Sequence, residues 1–126
     1  MFRDFLAFVA RLTPARVLLL GLFCAVMIEA TTVVLRFGLD LQSTRDTAVI
    51  GTYSWGMRVH HGYLALPVAA AALCLRERGL RKLLLILAVG LFVSDLFHHF
   101  LVLWPLTGSP QFDLFYPAPP PLPLPG

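Results

Sequence analysis

LLLILAVGLFVSDLFHHFLVLW, residues 83–104, is an apolar run interrupted by one aspartate and two histidines. Its length suits a bilayer-crossing α-helix, which needs roughly 20 residues, with a range of about 17–25. Asp95, His98 and His99 then lie at membrane depth. An ionisable group there costs roughly 2.5–3.5 kcal/mol on insertion scales, so a partner or a function is expected for it.

Two more runs are of the same kind. Residues 17–35 are broken only by Glu29, and residues 55–75 carry Arg58, His60 and His61 near their start and Pro67 in their middle. The composition agrees: 58% of the 126 residues are hydrophobic and 13% charged, and the mean hydropathy is +0.78. A soluble domain carries about a quarter charged residues. The expected fold is all-α: an integral membrane protein with three transmembrane helices, about 17–35, 55–75 and 83–104, in a bundle over 15–106. Ahead of it, Phe2, Phe5, Leu6 and Val9 recur at helical spacing, which predicts a short interfacial amphipathic helix over 1–14, stopped near Pro14. Residues 107–126 form a proline-rich tail, expected to be extended polyproline II. Cys24 and Cys74 lie in apolar runs without metal spacing and read as small buried hydrophobes.

The basic residues set a direction. Arg3, Arg11 and Arg16 precede the first run, Arg76, Arg78, Arg81 and Lys82 separate the second from the third, and none follows Trp104. The positive-inside rule predicts a multi-pass protein of a bacterial-type inner membrane, with the N-terminus cytoplasmic and the C-terminus outside. Tyr53, Trp55, Trp104 and Tyr116 fall where outer interfacial anchors are expected. The net charge of +3 arises at the ends of apolar runs, which suits membrane lipids as partners and not nucleic acid.

In that topology Glu29, His60, His61, Asp95, His98 and His99 share one layer in the outer half of the bilayer. Asp95 is three and four residues from His98 and His99, so each pair shares a helix face, with His98 the expected inward residue. Gly62 would let another helix approach closely. A layer of imidazoles and carboxylates suits a transition metal such as zinc, iron, copper or manganese. A carboxylate and a histidine from one helix follow the ligand logic of di-iron bundles. Three other readings stand beside it: a metal-free hydrogen-bond network or proton relay, b-type haem held by a histidine from each of the second and third spans, and scattered polar residues each satisfied separately. Arg36 and Arg58, in the same outer zone, are candidates for ion pairs with Glu29 or Asp95, or for lipid phosphate.

Asp95–His99, DLFHH, resembles the last part of the HxxHH boxes of membrane desaturases and hydroxylases. The resemblance covers one short box. The HxxxH box and the second HxxHH are absent, so no function is carried over. Three helices bury little surface between them, and lipid tails give no hydrophobic drive for their association. The chain is therefore expected to work as a homo-oligomer or beside other membrane subunits. Two roles remain open: a metal-dependent membrane enzyme or redox subunit, and a non-catalytic assembly subunit whose polar residues bind a partner's helix or cofactor.

Overall fold

The computed structural model describes residues 1–41, 49, 53, 55–57, 60–111 and 115. Among them the protein is all-helical, with no strand beyond an isolated bridge between Met57 and Phe115. Four α-helices carry the fold: α1 (Phe2–Ala10), α2 (Pro14–Val33), α3 (His61–Cys74) and α4 (Arg78–Leu96). α2 continues into a π-helical stretch, Val34–Gly38, and α4 into a longer one, Phe97–Leu103, followed by a last α-turn, Trp104–Thr107. Two of the resulting continuous helices, Pro14–Gly38 and Arg78–Thr107, are long and apolar enough to cross a membrane by length and composition.

Helix boundaries follow local chemistry. Thr13 caps α2, its hydroxyl accepting from the Arg16 N–H at 3.3 Å, and Pro14 occupies the first turn, where no donor is needed. Glu77 caps α4, its carboxylate accepting from the Gly79 N–H at 2.8 Å and from the Leu80 N–H. The Leu80 bond, then the Gly79 bond, hold the Glu77 carboxyl below the usual carboxylate range. A depressed folded pKa contributes stability above the ordinary value and loses it as pH falls through the lowered one. Glu77→Gln is expected to fray the first turn of α4 already at neutral pH, speeding amide exchange at Gly79 and Leu80. Wild type should reach that state only on acidification.

The helix predicted over 55–75 is shorter than expected. Trp55 and Gly56 have positive φ of 52° and 80°, and His60 is extended as the N-cap, so α3 starts only at His61. Its 14 residues rise about 21 Å, against roughly 30 Å for a hydrocarbon core. The run predicted over 83–104 starts earlier, at Arg78, because Glu77 caps it there.

α4 is the hub: α1, α2 and α3 all pack on it. Gly21 meets Val89, Gly90 meets Cys24, and Glu29 meets His98, so α2 and α4 run parallel. α3 runs antiparallel to α4, joined by the short turn at 75–77. α1 lies on the first turns of α4, where Lys82 Nζ donates to the carbonyls of Ala10 at 2.7 Å and Leu12 at 2.6 Å. This contact ends α1 with a cation on its free carbonyls. It also brings the basic residues of both sequence clusters to one end of the molecule. Of the apolar stripe predicted on α1, Val9 is buried and Leu6 is half-buried, while Phe2 and Phe5 point outward together with Phe8. The contact with α4 is narrower than the stripe.

The burial pattern is inverted relative to a water-soluble domain. The buried apolar residues are mostly alanines, whereas Leu18, Leu19, Phe23, Val26, Met27, Leu66 and Leu73 are exposed. Only 11% of the most apolar stretch of Pro14–Gly38 is buried, and 28% of that of Arg78–Thr107. A core helix of a soluble protein would be mostly covered. Small residues line the contacts instead: Gly21 and Ala25 on α2, and Ala88, Gly90 and Ser94 on α4, as where helices approach without water to drive them. Trp55, Tyr53 and Trp104 are exposed. Tyr116 and the tail beyond Gln111, except Phe115, lie outside the described residues. Both cysteines are free, and Cys74 is exposed on α3, against the expectation of burial, because only one face of this helix meets α4.

Candidate metal centre

The polar cluster forms where α4 passes into its π-helical stretch. Ser94, Asp95 and His99 are all buried, as is His60 at the N-cap of α3. Wider π turns occur disproportionately at functional sites. Here Asp95 and His99 meet residues at the start of α3, and His98 meets Glu29 on α2. Gly62 makes the approach of α3 possible. A Cβ at this position would lie 2.6 Å from Asp95 Oδ2 and 2.7 Å from Asp95 Cβ.

His60, Asp95 and His99 each bring one ligand atom into a group whose members all lie within 4.8 Å of one another. His99 Nε2 is 2.8 Å from His60 Nδ1 and 3.7 Å from Asp95 Oδ1. The other nitrogen of His99, Nδ1, is 2.7 Å from the carbonyl oxygen of Pro110. A carbonyl only accepts, so Nδ1 carries the proton. In the neutral ring the lone pair is then on Nε2, aimed into the group. A second hydrogen bond that fixes tautomer and ring orientation is the usual support of a metal-binding histidine.

Asp95 Oδ1 is buried and accepts no hydrogen bond of normal geometry among the described residues. Its nearest cation-forming neighbour is His61 Nδ1 at 3.2 Å, close enough for an ion pair but poorly aligned for a hydrogen bond. His61 Nε2 faces Ser94 Oγ at 3.3 Å. His61 thus flanks the three-residue group through Asp95. The ring of His60 packs edge-on against Tyr63 and His99.

Glu29 and His98 form a separate pair. His98 Nδ1 is 3.1 Å from Glu29 Oε1, and Thr32 Oγ1 donates to Glu29 Oε2 at 3.3 Å. Both side chains are largely buried, and an edge-to-face contact of His98 with His99 joins the pair to the other group. The six polar residues thus form two adjoining groups. The expectation of His98 as the residue beside Asp95 is corrected: that residue is His99. Arg36 makes no ion pair with Glu29 or Asp95 among the described residues, and Arg58 lies outside them. Ser94 and the Pro110 carbonyl were not anticipated. Ser94 had a signal, since it precedes Asp95 inside an apolar run; a carbonyl contact from beyond the helix has none.

Two histidines and one carboxylate leave positions open on a tetrahedral or octahedral ion, as in three-ligand zinc sites and two-histidine–one-carboxylate iron sites. Haem fits poorly between His60 and His99. Two trans imidazoles on iron stand about 4 Å apart with the macrocycle between them, and these nitrogens touch at 2.8 Å.

The structure and site define an all-helical protein with two candidate membrane-crossing helices and a buried His-His-Asp group that can hold a metal ion. No family model, curated protein or solved structure matches the chain.

Proposed function

We propose that this protein is a small integral membrane protein that binds one transition-metal ion through His60 Nδ1, Asp95 and His99 Nε2. His61, Ser94 and the Pro110 carbonyl orient these ligands, and Glu29–His98 is a neighbouring proton-holding pair. The observation that carries the reading is the buried Asp95 Oδ1, without a hydrogen bond among the described residues, 3.7 Å from a His99 Nε2 whose tautomer leaves its lone pair in the group. A buried carboxylate oxygen left this way is costly unless a proton or a cation joins it.

The N–N distance favours a second reading and also shows how to test it. At 2.8 Å His60 and His99 are hydrogen-bonded, whereas two imidazoles on one tetrahedral ion stand about 3.3 Å apart. Binding would require His60 Nδ1 to give up the proton it donates to His99 Nε2, by tautomer exchange to its own Nε2 or loss to solvent, and would open the pair by about 0.5 Å. Without metal the same residues form a hydrogen-bond network, and the protein is an assembly or structural subunit. Protein purified without chelator is expected to carry about one metal per chain by elemental analysis, with no haem absorption band. Folded, metal-free protein that also takes up no zinc, iron, copper or manganese would remove the metal reading and leave the network.

The exposed apolar side chains of α2 and α4 support two of the three crossings of this reading, and the apolar α3 packed on α4 is its third. The two basic clusters at one end of the bundle support N-in, C-out orientation. With Cys24 and Cys74 removed, single cysteines at Arg76 and Ser109 should be labelled from opposite sides of the membrane; labelling of both by an impermeant reagent from the outside would overturn this topology. The multi-pass chain works as a homo-oligomer or with other membrane subunits, which is consistent with its thin interior of alanine and glycine.

A further inference from the structure

The end of the molecule opposite the histidines carries a second set of charged groups that the metal reading does not use. Between the C-terminal turn of α1 and the first turns of α4 lies an open recess of about 290 Å³, lined by Ala10, Arg78, Arg81 and Lys82. The three basic residues are at i, i+3 and i+4 of one helix and share a face. Two of the three donors of Lys82 Nζ are engaged by the Ala10 and Leu12 carbonyls, which fixes its charge at the rim. Arg81 Nη2 reaches the Arg76 carbonyl at 3.5 Å, whereas its Nε is buried and has no hydrogen-bond partner among the described residues. The nearby carboxylate, Glu77, is turned to the backbone amides of Gly79 and Leu80. It occupies the helix end and leaves the side-chain face to the cations.

We propose that this recess binds a phosphate group, with Arg81 as the principal donor and Arg78 and Lys82 as supporting charges. A planar guanidinium can engage two phosphate oxygens at once, and Arg78 and Lys82 add charge on the same face. The site sits where two apolar helices end in a basic cluster, the level of anionic headgroups if those helices cross a bilayer. The phosphate of an anionic lipid and a soluble phosphate share this chemistry.

The test uses the full chain in neutral detergent, equilibrated with phosphatidylglycerol, phosphatidylcholine or inorganic phosphate. Native mass spectrometry reads retained adducts, and thermal unfolding reads stabilisation. Phosphatidylglycerol is expected to be retained in preference to phosphatidylcholine, with affinity falling about fivefold in Arg81→Gln and about 30-fold in Arg78→Gln/Arg81→Gln. Arg81→Lys keeps the charge but not the planar fork of donors, and should recover only part of the loss. Retention of the lipid against millimolar inorganic phosphate identifies a headgroup as the ligand; displacement by phosphate, or stabilisation by phosphate alone, identifies a soluble one. Equal retention by wild type and the double variant overturns the proposal, as does indifference to both lipid charge and phosphate. Helical circular dichroism and metal content, read on the same samples, separate failure here from misfolding and from failure of the metal reading.

Discussion

Asp95→Asn and His99→Ala are each expected to abolish stoichiometric metal binding, while His98→Ala leaves it in place. Asparagine keeps the shape of Asp95 beside Gly62 but removes the charge that makes it a ligand. His99→Ala removes the one nitrogen that lies beside both His60 and Asp95. Loss of a supporting partner alone costs about 10–100-fold in metal affinity, and loss of a ligand should exceed that. His61→Ala, which touches Asp95 from outside the group, is placed in the 10–100-fold range. His98 faces Glu29 on α2, so its removal should perturb that pair and not the metal. Titration with zinc or iron(II) against a competing chelator measures all four variants on one scale. If His98→Ala lost metal as fully as His99→Ala, the ligand group would have to be redrawn around α2. If Asp95→Asn kept full affinity, the carboxylate would be a hydrogen-bond acceptor and no ligand.

That His98 and His99 exchange roles shows where sequence reasoning reached its limit. Apolar runs and their interrupting charges were enough to expect helices on either side of the 76–82 turn, because a basic turn between two apolar runs has few other outcomes. They were also enough to expect the polar residues in one layer, since depth depends only on position along a helix. Which of two adjacent histidines faces α3 turns on a small difference, about 40° from Asp95 for His99 against about 60° for His98 in a regular helix, and the hydrophobic pattern does not say on which side of Asp95 α3 packs. The late start of α3 has a similar origin: Trp55 and Gly56 have positive φ and His60 is extended, so the helix begins only at His61 in a run that composition reads as continuous. The Pro110 carbonyl on His99 and the Lys82 contacts to α1 are tertiary. They join residues 11 apart at one site and 70 and 72 apart at the other, and no local rule anticipates either.

Gly62→Ala is expected to be among the most damaging single-methyl changes in the molecule. The added Cβ would meet Asp95 Oδ2 at 2.6 Å, Cγ at 2.8 Å and Cβ at 2.7 Å. A flexible carboxylate could swing away from the first two contacts. It cannot relieve the third, because the Cβ of Asp95 is fixed to the backbone of α4. α3 must therefore withdraw by most of an ångström to restore ordinary contact. Overpacking of this kind costs about 1–3 kcal/mol, which should appear as a lower unfolding midpoint in detergent. The same shift carries His60 away from Asp95 and His99. Metal–ligand distances tolerate about 0.2 Å, so affinity should fall steeply even where the helices still pack. Gly38→Ala is the comparison: its Cβ would meet only Val34 Cγ1, at 3.7 Å, and both stability and metal binding should stay near wild type. Unchanged metal affinity in Gly62→Ala would mean that His60 does not share an ion with Asp95 and His99, leaving α4 alone to supply the site.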